Sequence, residues 1–118
     1  MIKPEIIERL IAMGNVDDLD SISITERFSD LAEHDEINRL HWKDWNNATT
    51  NLKTEDLVAL LKALTICELR FKWIGGSVSA VIWVYKELER RDLDLSKELY
   101  DWIVERTENP YAPTGSMR

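Results

Sequence analysis

The chain has 118 residues, 44% of them hydrophobic and 31% charged, and its acids outnumber its bases to give a formal charge of −7. That apolar fraction excludes a disordered chain, and the length suffices for one core burying about two-thirds of the surface that an extended chain exposes. One cysteine, Cys67, excludes an internal disulfide, and the acidic balance argues against a phosphate-backbone binder, which needs clustered Lys and Arg.

A lone cysteine fits a reducing compartment, so a cytoplasmic location is expected. Met1-Ile2-Lys3-Pro4-Glu5 has no apolar run behind its lysine, so no secretory leader is expected. The longest uncharged run, from Trp73 to Tyr85, falls well short of the roughly 20 residues of a membrane span, so no membrane partner is expected.

In chain order, Pro4 suits a first helical turn. Ile6, Ile7, Leu10 and Ile11 recur at helical spacing before Gly14, a candidate left-handed cap. Asn15 to Ser23 reads as a loop or single turn. Thr25, Phe28, Leu31 and Ala32 begin a second helix that Ile37 and Leu40 continue, with a break near His34 and Asp35 where the apolar phase slips. Asn46 to Asn51 reads as the clearest loop, joining helical halves 1–45 and 54–109.

Thr54 is the expected N-cap of a helix that is apolar nearly all round, with Leu57, Leu60, Leu61, Leu64 and Phe71 in one stripe and Gly75-Gly76 at its end. Ser77 or Ser79 then caps a run with Val78, Val81, Ile82, Tyr85 and Leu88 inward. Its β-branched start suits a strand, but Lys86 to Arg91 are helix formers, so a helix is expected. Ser96 caps a last helix with Leu95, Leu99, Trp102 and Ile103 inward, and Pro110 stops it. Residues 110–118 form an extended or disordered tail unless Tyr111 packs down.

The fold class expected is therefore all-α, a single domain of about five helices over 1–109, arranged as a small bundle or a stack of helical pairs.

Three features bear on function. Between Asp17 and Glu36 stand Asp17, Asp18, Asp20, Glu26, Asp30, Glu33, Asp35 and Glu36, opposed by Arg27 alone. Such a run is commonly a solvated face, but it also suits a basic partner. Trp42 and Trp45 lie on one side of a helix end, and Trp83 projects away from the inward face of its helix. Large aromatics are more often core, yet tryptophan is over-represented at binding hot spots. The candidate partner-binding residues are accordingly Asp30, Glu33, Asp35, Glu36, Trp42, Trp45 and Trp83.

Other constellations are weaker. His34, Asn38 and His41 share a helical face, but no metal motif accompanies them, and no cofactor or metal is expected. Glu68 falls on the apolar stripe, where a carboxylate must be paired. It is either a structural bond or the centre of an interhelical ligand pocket. Cys67 lacks a neighbouring base and reads as core, and Gly75 to Ser79 reads as an inter-helix turn rather than an anion cradle. No catalytic motif is present.

In size, acidity and helicity the chain resembles bacterial immunity proteins that plug toxins. The resemblance covers no alignable stretch and carries no residues over. It implies an inhibitor, immunity-like or phage-type, that occludes a basic site on a toxin or nuclease. The alternatives are a helical ligand- or metal-binding protein or small enzyme with an interhelical pocket around Glu68, and a self-associating structural adaptor. A monomer and a homodimer both remain open.

Overall fold

Pro4 lies in the first turn of helix α1 (Pro4–Gly14), where its missing N–H leaves no helical bond unmade. In the computed structural model, which describes residues 1–118, every regular element is helical. After α1 come α2 (Ile24–Arg27), a 3-10 stretch (Ser29–Arg39), α3 (Trp42–Thr49) and α4 (Thr54–Arg70). A 3-10 turn (Gly76–Val78), α5 (Ala80–Arg91) and α6 (Leu93–Val104) follow. One contiguous core joins them, and no helix is long and apolar enough to cross a membrane.

The count differs from the expected five because the second helix is not one helix. Phe28, Leu31, His34, Ile37 and Leu40 recur every third residue, the period of a 3-10 helix, whose residues i and i+3 eclipse. Tight winding puts Phe28, Leu31 and Ile37 in the core while Glu33, Asp35 and Glu36 stay in solvent. The expected break falls at His34, which leaves helical geometry at φ −97°, ψ 30°.

Helix α4 is the centre. Leu57, Leu60, Leu61, Leu64, Ile66 and Cys67 are all fully buried, which covers the helix on nearly every side, as its composition requires. α1 crosses it with Ile7, Leu10 and Met13 inward. Gly14 is the last residue of α1, and Asn15 caps it in a right-handed conformation, so the glycine is not the left-handed cap expected. A Cβ there would fall on the Ala59 carbonyl of α4. The small residue is what lets the two backbones approach.

The Asn46–Asn51 loop is mostly helix. α3 runs to Thr49 because Thr49 and Thr50 turn their hydroxyls back along it, donating to Trp45 O at 2.8 Å and Asn46 O at 2.6 Å. Arg91 of α5 then holds the end of α3, donating to the carbonyls of Thr49 at 2.8 Å and Leu52 at 2.6 Å. The polar loop expected over 46–51 is thus shortened to a fastened turn over 50–53.

Three boundaries shift. Lys53, without a side-chain bond, takes the N-cap of α4 in place of Thr54. That helix stops at Arg70 and turns through Lys72 at φ 57°, before the glycine pair. Asp92 caps α6, accepting from the Leu95 N–H at 3.1 Å, while Ser96 lies inside the helix. Ser79 does cap α5, accepting from Val81 N–H at 3.2 Å, and the helical reading of that run holds. Val81, Ile82, Tyr85 and Leu88 are buried as expected, but Val78 sits in the preceding turn and is exposed.

The tail is neither extended nor loose. Residues 110–116 form turns, Ala112 is fully buried, and the Arg118 guanidinium closes on the carbonyls of Ala112 and Asn109 at 2.9 and 3.1 Å.

Candidate partner-binding site

Four carboxylates of the acidic run face arginines, two of which come from distant parts of the chain. Arg9 forks onto Asp30 with two bonds of 3.0 Å, Arg27 onto Asp18 at 2.9 and 3.0 Å, and Arg106 onto Asp20 at 2.8 and 2.9 Å. These bonds hold the three carboxyls below the usual carboxylate range. Asp35 faces Arg39 at 3.6 Å, and Glu33 and Glu36 flank His34 at 3.7 and 3.8 Å. Of the candidate acids, Glu33 and Glu36 are the exposed ones with no Lys or Arg partner.

The tryptophans separate. Trp45 is 1% exposed and donates its indole N–H to the Ile37 carbonyl at 3.1 Å, so it is a core anchor joining α3 to the 3-10 stretch, not an interface residue. A spacing of three puts both rings near one side of α3, but that helix lies on the surface, and only the deeper ring reaches the core. Trp42 remains 47% exposed beside His41 and Lys43. Trp83 is half-buried on α5, and its indole nitrogen is buried with no hydrogen-bond partner.

The structure brings Trp42 and Trp83 together. They wall one cleft of about 350 Å³ that Asn46, Thr49, Lys86 and Arg90 also line. Its floor is fixed by Glu87, whose carboxyl is held below the usual range by Arg90, at 2.6 Å, and by Arg91, at 2.7 Å.

Along α3 lies a second depression, a groove of about 670 Å³ lined by Ile2, Pro4, Ile7, Ile11, Ala48 and Leu52 and by the carboxylates Glu8, Asp44 and Asp56. Asp44, Asn47 and Ala48 line the groove while Trp42, Asn46 and Thr49 line the cleft, so α3 is a ridge between the two. Sequence reading missed the groove. The signal available was the apolar Met1-Ile2 ahead of Pro4 together with the outward Ile11.

The remaining candidates separate too. His41 caps α3, accepting from the Lys43 N–H at 3.2 Å, whereas His34 sits with its glutamates on the 3-10 stretch. Asn38, between them in sequence, is fully buried and joins three elements: it donates to Glu68 Oε2 at 2.9 Å and accepts from the Ala80 N–H at 3.1 Å. Gly75 packs on that asparagine, where a Cβ would meet Nδ2 at 2.7 Å, while Gly76 supplies a left-handed turn at φ 53°. Cys67 is buried against the Met13 sulfur at 3.6 Å, and burial pushes its thiol far above the usual range. Comparison with family models, with curated proteins and with solved structures gives no match.

Proposed function

We propose that this chain is a protein-binding module, an immunity-like or phage-type inhibitor that receives a basic segment of its partner along the α3 ridge and does no chemistry itself. The observation that carries this reading is the ridge: an apolar groove rimmed by Glu8, Asp44 and Asp56 on one side and a cleft walled by two tryptophans on the other. An apolar centre ringed by polar groups is the arrangement of binding hot spots, and Trp42 is the exposed aromatic there.

Charge selects the occupant. The formal charge of −7 steers basic proteins toward the molecule, and Glu8 and Asp56, with Asp44 beside the Met1 amino group at 3.6 Å, complement Lys or Arg flanking an apolar stretch. Glu33 and Glu36 extend the acidic field on the neighbouring 3-10 stretch. Asp30 and Asp35 contribute less than expected, since each already faces an arginine.

Site-specific photo-crosslinking in the source cells tests this. A photoreactive residue at Asn47, on the ridge, is expected to capture one basic protein, while the same group at Lys97 on α6 captures none. The captured protein should then bind Trp42→Ala and Asp44→Lys variants at least tenfold more weakly. An acidic captured protein, capture of a second copy of this chain, or equal capture at both positions overturns the reading.

A further inference from the structure

Glu68 is 7% exposed and lies in the last turn of α4. Its two oxygens differ. Oε2 accepts from Asn38 Nδ2 at 2.9 Å and from Asn109 Nδ2 at 3.4 Å, whereas Oε1 is buried and has no partner. A buried carboxylate oxygen left without a donor is costly, and such an orphan marks a place where a ligand or ordered water completes the structure. Glu68 lines a cleft of about 300 Å³ together with Trp73, Ile74, Glu108 and Pro110, on different elements from the α3 ridge.

We infer that this cleft takes a primary alkylammonium group, with its N–H bonds directed to Glu68 Oε1 and its apolar stem against Trp73, Ile74 and Pro110. The missing partner is a donor, and the charge of the Glu68 carboxylate makes a cation the better one; Glu108, on the same cleft, is already faced by the Lys72 ammonium at 3.7 Å, which leaves Oε1 unpartnered. The shape of the free acceptor decides between cations. A guanidinium forks onto both oxygens of a carboxylate, but here Oε2 is already engaged, so a compact ammonium finds its full bond where a guanidinium finds half. A metal ion would need a larger set of ligands, and no group of three or more His, Cys, Asp or Glu side chains in the fold is arranged to hold one. The volume, at the lower end for ligand pockets, suits a short chain. A free small amine and a lysine side chain share this chemistry.

The inference stands apart from the proposed function, because none of the lining residues belongs to the ridge. The test is an NMR titration of the ¹⁵N-labelled full chain at constant ionic strength, following the Trp73 indole and the Gly75 and Gly76 amides. The probes are n-propylammonium, n-propylguanidinium, tetramethylammonium and a capped Gly-Lys-Gly peptide. Saturable shifts are expected with propylammonium, several-fold weaker binding with propylguanidinium, and none with tetramethylammonium, which has no N–H. Glu68→Gln, which keeps an acceptor for Asn38, should weaken binding about tenfold or more, and the exposed Glu108→Gln about threefold with the fold untouched. Tighter binding of the peptide than of propylammonium assigns the site to a partner's lysine, and the reverse assigns it to a free amine. No saturation by either up to about 50 mM, or equal affinity in Glu68→Gln, overturns the inference and leaves Oε1 to a water.

Discussion

Arg106, just beyond α6, grips Asp20 near the start of the chain with two bonds of 2.8 and 2.9 Å across 86 positions of sequence. The same guanidinium lies over the Trp102 ring at 4.1 Å. It therefore fastens the N-terminal loop to the last helix with a fork and a stacked plane at once. Since the Asp20 side chain is 59% exposed, the pair contributes at most about 1 kcal/mol.

The direction of its pH dependence follows from the depressed carboxyls of Asp18, Asp20 and Asp30. The unfolded chain takes up these protons near pH 3.9, the folded chain only at lower pH. The pairs therefore stabilise the fold above about pH 4, and that stability is lost as pH falls through the folded-state values. The urea midpoint is expected to drop between about pH 5 and pH 3, and to drop less in Arg106→Gln. Equal slopes in the two proteins would show that the Asp20 pair does not contribute.

Gly14→Ala should destabilise the protein by about 2 kcal/mol or more, because its methyl group meets backbone at Ala59 rather than a side chain that can move aside. Thermal unfolding measures this. A melting temperature unchanged or raised, as expected at an ordinary helical glycine, would place the α1–α4 crossing elsewhere.

Trp42 and Trp45 should respond in opposite ways. Trp45→Phe removes the donor to the Ile37 carbonyl and leaves space in the core, at about 2 kcal/mol or more of stability. Trp42→Ala should change stability by less than about 0.5 kcal/mol, since the ring is half exposed. Denaturant titration of the two variants side by side reads the difference directly.

Arg91 carries an expectation of its own. Its guanidinium serves Glu87 and the carbonyls of Thr49 and Leu52, all in one partly buried knot. Arg91→Met keeps the stem but removes the donor to Glu87, which Arg90 still serves, and the donors to the carbonyls of Thr49, Thr50 and Leu52, at a cost of about 1–2 kcal/mol. Hydrogen exchange should show the end of α3 opening first. Uniform loss of protection across the fold would contradict a local role.

Cys67 should be inert to thiol reagents in the native protein and should react at the rate of global unfolding, since burial both raises its pKa and blocks access. A fast native reaction with Ellman's reagent would show that α4 opens locally.

Much of this architecture was legible in the sequence because it is written in local periodicity. The all-round apolar α4, the helical choice for Ala80 to Arg91 and the break at His34 all come from spacing within a few turns. What escaped is of two kinds. The apolar repeat of three from Phe28 to Leu40 was visible, but read against a period of 3.6 it shows only as a phase slip. Contacts between distant residues leave no local trace. Nothing near Asp20 or Asp30 foretold which arginines neutralise them, and nothing near Trp42 foretold that Trp83 would face it across a cleft.

The crossing of α1 over α4 also sets the order of events during synthesis. Ile7, Leu10 and Met13 are made before the helix that covers them, which begins only at Thr54, and the Ala112 contact and the Arg118 clasp come later still. The nascent chain thus holds an apolar helix without its mate while the residues between Gly14 and Thr54 are added, the interval in which a chaperone or an unwanted neighbour has access to that stripe.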